Sequence, residues 1–143
     1  MKRLEGHIAR VASNSCPINF VCRYALVYGG GASDDYYIFL IPDEGFSSIS
    51  FLHDALYLDF MRPHLRLDLP YVPHLGIATN KDKEHLYELA RGWNNQALEI
   101  RGTINSLTLS SYDGKRVEDI KKFILNKNKH GGGGNSASLR AST

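Results

Sequence analysis

Leu69-Pro70-Tyr71-Val72-Pro73-His74-Leu75-Gly76-Ile77-Ala78-Thr79 is the stretch on which the fold of this chain turns. Pro73 pushes Val72 toward extended backbone, because the proline ring clashes with a helical residue before it. Successive side chains of a strand point to opposite faces, so Leu75 and Ile77 share one face while His74 and Gly76 share the other. The pattern predicts a strand over 72–78. A residue without a side chain two positions from a histidine leaves room for a ligand over that sheet.

Upstream of this strand, Ile49, Leu52, Leu56 and Phe60 recur at helical spacing. They predict an amphipathic helix over 47–60, with Pro63 just beyond it where a helix is expected to stop. Before it lie two strands, 18–28 and 35–41, joined as a hairpin through Gly29-Gly30-Gly31. Leu4, Ile8 and Val11 make 2–13 an opening helix.

Downstream, Leu86, Leu89, Ala90 and Trp93 form the stripe of a helix over 82–94, with Asn80 or Asp82 available as its cap. The 97–112 stretch changes phase, since Leu98, Ile100 and Ile104 are even-numbered and Leu107 and Leu109 odd. A bulge or bend near Asn105 reconciles the two halves. Residues 117–125 carry a helical spacing too, but Asp113-Gly114 is a strong hairpin signal and favours a strand. Strand pairs alternating with single helices give an α+β fold, antiparallel-rich sheets with helices packed on their outer faces.

The composition supports one folded domain over 1–129. Of 143 residues, 43% are hydrophobic and 22% charged, enough for a core and unlike a disordered chain. From His130 the chain turns to glycine, serine and alanine without periodicity, and 130–143 reads as a flexible tail. Seventeen basic residues against 15 acidic leave a net charge of +2, too little to grip long nucleic acid by charge alone. A small phosphate-bearing ligand stays open. Charge is uneven, with six basic and eight acidic residues in 1–79 against eleven and seven in 80–143. Cys16 and Cys22 are too few for a disulfide scaffold, and no apolar run reaches membrane length. No signal peptide is read either, so the expected setting is the reduced cytoplasm, away from membranes.

Gly29-Gly30-Gly31-Ala32-Ser33 lacks the lysine of a phosphate loop and precedes a strand, so it is read as a turn. The six histidines (His7, His53, His64, His74, His85, His130) include no i, i+4 pair, and no metal or other cofactor is expected. His74 is the one imidazole placed for chemistry. Lining a cleft, it can take or give a proton near neutral pH; bonded to a backbone group, it is only structural.

Pro73-His74-Leu75-Gly76-Ile77-Ala78 resembles the second signature of the two-histidine phosphoesterase superfamily, the 2′-5′ RNA ligase-like and cyclic phosphodiesterase group. Its members carry two His-x-Thr/Ser motifs on symmetry-related strands. Pro17-Ile18-Asn19-Phe20, Tyr37–Ile41, the 49–60 helix and the phase-changing 98–109 stretch resemble successive elements of that domain, so the likeness spans about residues 17–125. The resemblance implies two histidines facing each other across a cleft between two lobes. They act without metal on a cyclic phosphate or 2′-5′ phosphodiester, with motif hydroxyls holding phosphate oxygens. It further implies His74 as acid/base and Gly76, Tyr71 and Arg23 around the substrate, a cyclic nucleotide or short RNA phosphate ester.

Two departures bear on activity. Gly76 stands where the family has Thr or Ser, and Thr79, three positions on, has the wrong parity to replace it on a regular strand. The first motif is not seen: His7-Ile8-Ala9 falls in the opening helix, where His7 reads as a surface or boundary residue. The chain is therefore expected to begin after that motif, leaving an incomplete bilobal fold whose unpaired edges invite a homodimer. Three functions remain open. One is an impaired phosphoesterase; another is a non-catalytic nucleotide or RNA-end binder with salt-sensitive contacts at Arg23 or 115–129; the third is a partner-binding remnant.

Overall fold

Residues 1–29 and 34–126 are described by the computed structural model, so most of the triple-glycine turn and the expected 130–143 tail lie outside the described residues. β1 (Ile18–Gly29) and β2 (Tyr36–Glu44) pair antiparallel from Val21 opposite Glu44 to Gly29 opposite Tyr36. β3 (Leu75–Asn80) adds to the far edge of β2, and β4 (Ile100–Ile104) to the first half of β1, giving the order β3-β2-β1-β4. α3 (Lys83–Asn94) covers one face of this sheet, where Leu86 and Ala90 join Cys22, Ala25, Ile38 and Leu40 in one apolar core. Of the two candidate caps, the Asp82 carboxylate accepts the His85 N–H at the start of α3, and Asn80 braces Asp82 in turn.

A second core forms where α1 (Lys2–Ser13) and α2 (Phe46–Leu56) pack on the hairpin of β5 (Ser106–Tyr112) and β6 (Val117–Ile124). It is built from Ile8, Val11, Ala12, Leu52, Phe123 and Leu125. Asn105 is the bend expected from the phase change: there the chain leaves β4 in one sheet for β5 in the other, and the Asn105 carbonyl accepts the Leu125 N–H at 2.9 Å. Asp113-Gly114 makes the hairpin turn, with Gly114 at φ +93°, a conformation that suits glycine. The α+β architecture, antiparallel sheets with helices on their outer faces, is thus as expected. No helix among the described residues is long and apolar enough to cross a membrane.

Two boundaries differ from the sequence pattern. The helix expected over 47–60 ends at Leu56; Leu58 is extended and Asp59 left-handed at φ 54°, and a short 3-10 helix, Asp59–His64, takes in Pro63. Aspartate tolerates that conformation better than most residues, and its carboxylate is held by Arg10 Nη2 at 2.7 Å. Phe60 still reaches α1, with its ring edge-on to His7 and the Arg3 guanidinium over it. β3 begins at Leu75 and not at 72.

Gly45, at φ +86°, turns β2 directly into α2. A Cβ there would lie 2.5 Å from the Asn19 carbonyl oxygen, so only glycine makes this turn without moving β1. The turn fixes where α2 presents its outer face.

Candidate functional site

His74 stands at the entrance to β3. Its Nδ1 lies 2.7 Å from the Val72 carbonyl oxygen, which can only accept, so Nδ1 carries a proton and, in the neutral ring, the lone pair is on Nε2. The ring also lies on Phe39, with centroids 3.8 Å apart and planes inclined by 24°. Phe39 in turn stacks with Tyr28 and Tyr37 at 5.5 and 5.9 Å, which backs the imidazole with a row of rings across β2 and β1. Two hollows border His74. One is a groove of about 520 Å³ between α2 and the 65–74 segment. The other is an apolar recess of about 140 Å³ that Phe20, Cys22 and Ile49 also line.

Gly76 is paired with Phe39, on the sheet face where the His74 ring lies. A Cβ at position 76 would meet only Phe39 Cε1, at 3.9 Å, so the space above it is open. The register of β3 against β2 slips between Ile38 and Phe39: Gly76 pairs with Phe39, Ala78 with Ile38 and Thr79 with Tyr37. Ile77 is the extra residue. Directly paired residues project to the same side, and Phe39 and Tyr37 share a face, so the bulge turns Thr79 onto the face of Gly76. Simple parity on a regular strand had set Thr79 on the opposite face.

Tyr71 lines the groove together with His74. Burial pushes its phenol above the ordinary tyrosine value, so the hydroxyl stays protonated at neutral pH and available as a donor. Arg23 is not brought to this groove. Its guanidinium pairs with Asp43 at 2.6 Å, with Glu99 at 3.0 Å and with Glu44, which leaves it no free fork for a phosphate. The sequence offered no sign of this, because Glu99 is 76 positions away and meets Arg23 only through β4.

Residues 1–116 match the family model described as the 2′-5′ RNA ligase superfamily. The chain belongs to the 2′-5′ RNA ligase superfamily. No curated protein matches it.

In this superfamily member the opening-helix histidine, His7, is buried and not a surface residue. Its Nε2 donates to the Leu56 carbonyl at 2.9 Å, which leaves Nδ1 to accept from Arg10 Nη2 at 3.0 Å. Both nitrogens are spent on joining α1 to the end of α2, so His7 is a structural clamp. Cys22 borders the apolar recess, but burial first and Asp43 second raise its thiol, which keeps it protonated and a poor nucleophile.

Sequence reasoning passed over His53. It lies on α2, one turn after Ile49, and its side chain is only 16% exposed. The ring lies flat on Tyr71, with centroids 3.8 Å apart and planes 9° apart, and it lines the same groove as His74. Nothing in the spacing announces this, since the 65–74 segment reaches α2 only through the fold. Among the described residues no three His, Cys, Asp or Glu side chains converge as a metal site requires.

Proposed function

We propose that this 2′-5′ RNA ligase superfamily chain binds the phosphate ester of a 2′,3′-cyclic nucleotide or short RNA end beside His74 and performs metal-independent acid–base chemistry on it, weakened by Gly76. The observation that carries the reading is the His74 tautomer: Nδ1–H is tied to the Val72 carbonyl, and Nε2 is left with a lone pair at the border of a groove. In hydrolysis of a cyclic ester, Nε2 takes a proton from water as the water oxygen bonds to phosphorus. The P–O bond to one ribose oxygen breaks, and that oxygen receives a proton.

Gly76 supplies no hydroxyl to the charged phosphate oxygens, a contribution worth orders of magnitude where several donors act as a unit. Slow turnover is therefore expected. The test is hydrolysis of cytidine 2′,3′-cyclic monophosphate with a chelator present. Turnover lost in His74→Ala supports the assignment, and turnover unchanged in that variant overturns it.

The same departures favour a second reading, a non-catalytic binder of nucleotide or RNA ends. It predicts saturable binding of the cyclic nucleotide without product. With Arg23 committed to carboxylates, salt sensitivity of that binding is expected from the basic β6 hairpin around Lys115 and Arg116 and not from Arg23.

A further inference from the structure

The sheet β3-β2-β1-β4 is one-sided. α3 packs on Ala25, Ile38 and Leu40, and the side chains between them project to the opposite face. Tyr24 is paired with Ile41, Leu26 with Phe39 and Tyr28 with Tyr37, and directly paired residues share a face. Over 24–28 and 37–41 that face therefore carries three tyrosines, one phenylalanine, one leucine and one isoleucine, and no charge. Tyr24 and Tyr28 stay 58% and 52% exposed on it. The Tyr28 and Tyr37 rings lie nearly parallel to that of Phe39, with planes inclined by 19° and 27°, and Phe39 in turn bears the His74 imidazole. An aromatic track thus leads away from His74 across the two central strands of the sheet.

We propose that this open face is a stacking platform for the last bases of a single-stranded RNA end, with Tyr28 and Tyr37 under the bases that precede the phosphate at His74. This rests on the phosphate-ester reading of His74 and narrows the substrate from a nucleotide to a strand end. Phe39 is covered by the imidazole, so the rings left for bases are those beyond it. A second sheet would pack dry on aliphatic side chains, whereas tyrosine suits an occupant that leaves the hydroxyl wet. Every nucleobase has a flat π-face, and a four-stranded sheet with aromatic side chains on its central strands can hold two or three unstacked bases. With no charge on the face and Arg23 committed to carboxylates, stacking holds the strand and phosphate contacts do not.

The experiment is calorimetry on the full chain with cytidine 3′-monophosphate and with tricytidylate ending in a 3′-phosphate. The trinucleotide is expected to bind about tenfold or more tightly than the mononucleotide, and this advantage should change little with salt. Tyr28→Leu and Tyr37→Leu keep an apolar side chain without the ring and are each expected to cut the advantage severalfold; Tyr28→Phe keeps the ring and the advantage. If the trinucleotide binds no more tightly than the mononucleotide, or the leucine variants retain its full advantage, the platform is overturned while the reading of His74 stands. If neither ligand binds, both fall. Trinucleotide affinity that drops as protein concentration rises would mean that a second copy covers the face, which overturns the platform too. Should a leucine variant not fold, the wild-type Tyr28 and Tyr37 ring signals decide by NMR: they move with the trinucleotide, or the platform falls.

Discussion

The His74 imidazole lies against the Phe39 ring at 3.8 Å, and its Nδ1 is fixed by the carbonyl of Val72, two residues before it. Together these contacts set both the plane and the tautomer of the ring. Phe39→Leu keeps an apolar β2 residue but removes the stack, which contributes about 0.5–1.5 kcal/mol in pairs of this kind. Calorimetry with cytidine 3′-monophosphate is expected to show binding weakened by about 2- to 10-fold. The His74 Cε1–H signal should also broaden or shift in the free protein, which a merely structural loss elsewhere would not cause.

The open side of β1 gives the expected homodimer a place. β4 covers only Ile18–Cys22, and from Tyr24 to Gly29 no described strand lies on that side. Among the described residues only Ala25 is answered there: its N–H donates to Asn94 Oδ1 at 2.8 Å, and its carbonyl accepts from Asn94 Nδ2 at 3.0 Å. Exposed edges recruit other strands, and we propose that two copies pair along 24–29. Light scattering is expected to show a dimer growing with concentration, and a clean monomer at high concentration overturns the idea. Asn94→Ala unblocks the edge and should raise the dimer fraction. It should also lower monomer stability by about 1–3 kcal/mol, because the Ala25 amide loses its partner.

Most of the fold was legible because its elements are amphipathic on their own. Leu86 and Ala90 on α3, and Ile8 and Val11 on α1, face their cores at the helical period and need no distant partner to be found. Parity betrayed a bulge or bend near Asn105, but that the bend carries the chain from one sheet to another shows only in the fold. What stayed hidden depends on pairing across the chain. The extra residue Ile77, which moves Thr79 to the other face, exists only relative to β2. The turn after the early end of α2 brings Asp59 to Arg10 on α1, a partner 49 positions away. In the site, His74 was visible through its prolines and glycine, whereas His53 acquires meaning only when Tyr71 folds over it, and Arg23 loses its expected role only when Glu99 arrives beside it.

The Arg23 cluster sets an acid limit on stability. Arg23 holds the Asp43 carboxyl below its ordinary value, while Glu99 is lowered by Arg101 first and by Arg23 as well. Carboxyls depressed in the folded state bind protons more readily when unfolded. Their stabilisation is present above the usual carboxylate range near pH 4 and fades as pH falls through the lowered folded values. The groups are exposed, so the effect is modest and salt-screened. Thermal melts from pH 7 to pH 3 should show a decline in Tm that begins below about pH 5. Arg23→Gln should lower Tm at neutral pH and flatten that decline, and a parallel shift at every pH would show that the ion pairs contribute nothing.

Gly76 offers the test in the opposite direction, a gain. Space above it is open, with only Phe39 Cε1 within 4 Å of an added Cβ, and β-branched residues suit a strand better than glycine. Gly76→Thr is therefore expected to fold and to melt no lower than the wild type. Gly76→Ala makes the same backbone change without a hydroxyl and is the proper reference. A hydroxyl bonding a phosphate oxygen is a charge-assisted contact, so the threonine variant should bind cytidine 3′-monophosphate about tenfold more tightly than the alanine variant. It should also raise turnover of the cyclic nucleotide. Equal affinity in the two variants would mean that the phosphate does not lie over residue 76, and the ester would then have to sit deeper in the groove, toward Tyr71 and α2.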